Sequence, residues 1–142
     1  MKSTLETDKI LSSTSPEELN QYLTGDYMNQ YGSLKEYLLS YMGKHGLQQS
    51  DVVRKSLLSR GYANQIINGI KENPSREKLI PICIAMNMTY DETNRALKIA
   101  KAGTLYSKDK RDAIIISCIN NNEFDVMKIN ELLADYGFEP LG

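Results

Sequence analysis

Residues 48–69 read QQSDVVRKSLLSRGYANQIING, and the fold turns on how their apolar positions are spaced. Val52, Val53, Leu58, Ala63 and Ile66 can share one small core only if two short helices, over about 48–56 and 60–68, cross steeply and are joined by a turn of a few residues. Ser59 stands where a hydroxyl caps the second helix, and Gly69 stands where such a helix closes. The second helix is left with one face free, and that face carries Arg60, Gly61, Asn64 and Gln65. A guanidinium and two carboxamides match the donor and acceptor pattern that base edges present in a major groove. Double-stranded DNA is therefore the first ligand to consider.

Moving outward from this pair, hydroxyl or carboxylate caps precede each run of helical apolar spacing. In the leader, Ser15-Pro16-Glu17-Glu18 opens a short helix that runs through Leu23 and ends at Gly25. Ser33 and Glu36 open the next helix, with Leu34, Tyr37, Leu38, Tyr41 and Met42 on one face. Ser75 is placed to cap a helix carrying Leu79, Ile80, Ile82, Cys83 and Met86, in which Pro81 predicts a kink or a tightened turn near Lys78. Thr89 and Glu92 form a capping box for a fifth helix with Ala96, Leu97, Ile99 and Ala100. Two more helices are expected over about 109–120 and 125–136, and the first contains the nearly all-apolar run AIIIS. That run must be covered on several sides, by neighbouring helices or by a dimer seam. No strand-period alternation or internal repeat is evident. The expectation is an all-α chain: a leader over 1–33, a five-helix domain over 34–101 and a two-helix extension over 102–142.

The 142 residues carry a net charge of −1, which masks a segregation. Residues 1–33 hold 2 basic and 5 acidic side chains, residues 34–101 hold 11 and 6, and residues 102–142 hold 4 and 7. The centre is basic and the flanks are acidic, as suits a phosphate-facing middle. Cys83 and Cys118 sit far apart among isoleucines and read as reduced core thiols, which fits a cytoplasmic protein. His45 is the only histidine, and no C-x-x-C or H-x-x-x-H spacing is present, so no metal or cofactor is expected. No nucleophile has a base beside it and no glycine loop cradles phosphate, so an enzyme is not expected. No apolar run reaches the length of a membrane span, and no secretory leader pattern opens the chain.

Gln49, Val52, Val53, Leu58, Ser59, Ala63, Ile66 and Gly69, continued by Pro74, Ser75 and Leu79, resemble the helix-turn-helix of lambda-repressor-like (XRE-type) bacterial transcriptional regulators. The resemblance spans residues 34–101. It implies that Arg60, Gly61, Asn64 and Gln65 meet base edges, with Arg60 suited to guanine and Asn64 or Gln65 to adenine. It also implies that Gln49 bonds a phosphate or orients a reading side chain, and that Ser59 caps the recognition helix near phosphate. Lys55, Lys71, Asn73 and Arg76 are the remaining residues expected on the sugar-phosphate backbone. Leu57 occupies the turn position where the family has glycine, so a left-handed backbone there would cost about 1–2 kcal/mol. DNA is the implied partner, with a homodimer through the C-terminal helices. The alternative is a protein-interaction adaptor that keeps the fold without reading DNA.

Overall fold

The computed structural model describes residues 32–142, and within them every regular element is an α-helix. The helices are α1 Leu34–His45, α2 Gln49–Ser56, α3 Arg60–Ile67, α4 Arg76–Ala85, α5 Tyr90–Ile99, α6 Lys110–Asn120 and α7 Val126–Asp135. The expected leader helix lies outside the described residues. Among those described, no helix is long and apolar enough to cross a membrane.

Cap chemistry sets most of the boundaries. Ser33 accepts from the Glu36 N–H, Ser59 from the Tyr62 N–H and Asp109 from the Asp112 N–H, each satisfying an amide that a helix start leaves bare. Thr89 and Glu92 form the full reciprocal box at α5. Ser75 holds the N-cap position of α4, but its side chain makes no capping bond. α1 closes on Gly46 in the left-handed conformation, φ 63°.

α4 is the hub, packing against α2, α5 and α7, and its residues from Leu79 to Ala85 are all buried. Around it Leu38, Ala63, Ile66, Ile67, Ala96, Leu97, Ile115, Ile129 and Leu133 are excluded from solvent. Cys83 and Cys118 are free thiols in this core, and burial pushes Cys83 up to about 12. α4 runs unbroken through Pro81. A proline there cannot donate to the carbonyl four residues earlier, that of Glu77, which would otherwise be left bare. The N–H of Gly142 fills the vacancy at 3.1 Å. The tail is fixed further by Asn130, whose amide brackets both backbone groups of Leu141, and Leu141 itself is buried.

Ser33–Gly142 form one compact unit, so the boundary expected between residues 101 and 102 falls inside it. Two paired side-chain bridges show why. Arg76 on α4 meets Asp112 on α6 through two bonds of 2.9 Å, while the adjacent residues Glu77 and Arg111 make the mirror pairing at 2.6 and 2.8 Å. Arg111 reaches on to the carbonyls of Glu139 and Pro140 and so ties the tail to the same clasp. The isoleucine run of α6 is covered within the chain. Ile115, Ile116 and Ile119 are buried and Ile114 is half-buried, with α5 and α7 the neighbouring helices.

Candidate nucleic-acid interface

α3 is eight residues long and has two chemical faces. Ala63, Ile66 and Ile67 point into the core with no exposure, while Arg60, Gly61 and Gln65 are exposed and Asn64 is half-buried. Nothing lies within 4 Å of where a Gly61 side chain would begin, so the backbone there is open to close approach. Among the described residues, the side chains of Arg60 and Gln65 have no hydrogen-bonding partner in the protein.

The turn into α3 is set by Leu57, which adopts φ 62° and ψ 9° and caps α2 in the left-handed region. The cost anticipated for a leucine at this position is therefore carried rather than avoided. The Leu57 side chain is 53% exposed, so burial does little to offset it. Ser56 braces the turn from inside, donating to the Val53 carbonyl at 2.7 Å and accepting the Leu58 N–H at 3.2 Å.

Gln49 opens α2 and reaches across to α3. Its amide nitrogen donates to the Asn64 side-chain carbonyl at 2.9 Å and to that of Asn68 at 3.2 Å. Gln49 thereby fixes where the Asn64 side chain sits. Asn68, the C-cap of α3, was not among the expected site residues, although its spacing of four from Asn64 places it on the same stripe.

A cationic pair borders the helix. Tyr62, half-buried on α3, carries the Lys71 ammonium 5.1 Å and the Lys78 ammonium 5.6 Å from its ring centre. Tyr62 thereby gathers one lysine from the loop and one from α4 beside the exposed face of α3. Lys55 is exposed on α2, and Ser59 is engaged as the cap described above.

Two of the residues expected on the sugar-phosphate backbone are engaged with other parts of the protein. Arg76 is committed inward. Besides Asp112, its guanidinium donates to the carbonyls of Gly103 and Thr104, and the bond to Asp112 raises its already high pKa. It thereby holds the segment between α5 and α6. Asn73 likewise spends its amide nitrogen on the Ala100 carbonyl at 3.0 Å, pinning the loop after α3 to the end of α5. Neither pairing is local, which is why spacing alone did not disclose it. Among the described residues, no three His, Cys, Asp or Glu side chains converge as a metal site would require.

No protein-family model, curated protein or solved structure matches the chain.

Proposed function

We propose that this protein binds double-stranded DNA sequence-specifically as a bacterial XRE-type transcriptional regulator. α1 to α5 then form the lambda-repressor-like arrangement, and α3 lies in the major groove. The observation that carries the reading is the row of polar tips on α3. Arg60 and Gln65 project without protein partners, and Asn64 is held by Gln49, beside the ammonium groups of Lys71 and Lys78. Arg60, Gly61, Asn64 and Gln65 meet base edges. Lys55, Lys71, Lys78 and the α3 start capped by Ser59 meet phosphates. The protein acts in the cytoplasm. It pairs as a homodimer through its C-terminal helices, where Met127, Leu132 and Tyr136 of the α7 segment are exposed.

In-vitro selection of bound duplexes tests this. A regulator enriches a defined motif, and a dimer enriches one with two-fold symmetry. Binding should fall steeply with salt as counterions are displaced. A protein-interaction adaptor is the second reading, favoured by the exposed Leu57 and Ile70 just before and just after α3, at 53% and 72% exposure. Selection that enriches no sequence, with no salt-sensitive duplex binding at low ionic strength, would reject the regulator reading.

A further inference from the structure

The Gln49 bridge fixes more than the position of Asn64; it fixes which end of the amide faces outward. A side-chain amide has an oxygen that only accepts and an NH2 that only donates. Both hydrogens of the Gln49 NH2 are used on oxygens, one on Asn64 and one on Asn68. Both asparagines therefore turn their carbonyls toward α2. Among the described residues, no protein group takes up the Asn64 or Asn68 NH2. Arg60, one turn before Asn64, is also a donor without an acceptor. The stripe Arg60, Asn64, Asn68 thus presents hydrogen-bond donors along its length.

An unconstrained asparagine pairs with adenine by accepting from N6 and donating to N7, which needs both ends of the amide. Guanine presents two acceptors, N7 and O6, and asks only for donors. We infer that Gln49 is a positioning residue that makes Asn64 a donor, so that Asn64 reads a guanine instead of the adenine its residue type suggests, leaving adenine to Gln65. This rests on the major-groove reading of α3 and specifies what that helix recognises: adjacent acceptor-rich positions, met by Arg60 and Asn64.

The test is duplex selection with the intact protein and three variants. Asn64→Ala identifies the base position that Asn64 reads, as the one where preference collapses while the rest of the motif survives. At that position the unaltered protein should favour guanine over adenine by about tenfold. Gln49→Glu replaces the bridging donor with a carboxylate that only accepts, so the Asn64 amide must turn over and offer its carbonyl. Preference there should move from guanine to a base with an exposed amino group, cytosine or adenine, with the other positions unchanged. Gln49→Ala frees the amide and should flatten the guanine-to-adenine ratio to within about twofold, since either orientation then serves. A motif with adenine at the Asn64 position, or a guanine preference indifferent to Gln49→Glu and Gln49→Ala alike, overturns the inference while leaving DNA recognition intact. Enrichment of no motif by the unaltered protein overturns both.

Discussion

Leu57 is held at φ 62° with its side chain largely in solvent, so the backbone strain there has no packing to repay it. A glycine removes the clash between Cβ and the carbonyl, worth about 1–2 kcal/mol, and gives back roughly half of that through the greater freedom of the unfolded chain. Leu57→Gly should therefore raise stability by about 0.5–1 kcal/mol, seen as a higher urea midpoint at constant slope. A lower midpoint would mean that the leucine makes contacts that its exposure hides. Arg60 and Lys71 separate two kinds of DNA contact at the same scale. Arg60→Ala should relax preference at one base position by about 1–3 kcal/mol, whereas Lys71→Ala should weaken all duplexes alike and lower the salt slope by about 1. Equal losses across sequences for both variants would remove Arg60 from base reading. Much of the candidate site was legible from residue type and spacing, because Arg60, Gly61, Asn64 and Gln65 lie on one short helix, capped by Ser59, whose inward face is apolar. The amide orientation was not legible, since it depends on Gln49, fifteen residues away in sequence from Asn64.

Between elements, the double bridge from α4 to α6 joins two adjacent residues on each helix, and it decides what Arg76 does. Side chains at 76 and 112 are 26% and 6% exposed, so truncating one strands the other as a nearly buried charge. Arg76→Ala should cost about 3 kcal/mol of stability, the range for a broken buried pair. It should leave the salt slope of DNA binding unchanged, the opposite of what a phosphate contact predicts. Burial by itself would raise the Asp112 carboxyl, but the bonds from Arg76 and the Tyr106 N–H, with the charge of Arg111 added, hold it below the usual carboxylate range. Its contribution is complete above the unfolded value of about 3.9 and is lost as pH falls through the lower folded value. Stability should therefore climb with pH on the acid side up to about pH 4, and Asp112→Asn should flatten that climb. An acid limb that Asp112→Asn leaves unchanged would place the proton uptake elsewhere. Helix starts at Ser33, Ser59 and Thr89 could be read because a cap and its amide are three residues apart. The clasp could not, because its partners are 36 and 34 residues apart and nothing in the local pattern distinguishes Arg76 from a surface cation.

At the scale of the whole unit, the question is whether α6 and α7 are an appendage or part of what holds α2 and α3 in place. Removing them would uncover α4 where α7 packs, leave Arg76 without Asp112 and Glu77 without Arg111, and return the Glu77 carbonyl to a bare state below Pro81. Each of these costs is borne by α4, the helix on which α2 also rests. Loss of the C-terminal helices should therefore loosen the α2–α3 pair, so the two regions should unfold together. Native-state hydrogen exchange reads this directly. The slowest amides of α2, in the Val52–Val53 stretch, and of α6, in the Ile115–Ile119 stretch, should report the same opening free energy and the same dependence on urea. Leu141→Ala, which removes a buried tail side chain at about 2 kcal/mol or more, should lower both by the same amount, although Leu141 belongs to neither helix. A drop confined to α6, with α2 unmoved, would restore a boundary near residue 101 and make the extension a separate folding unit.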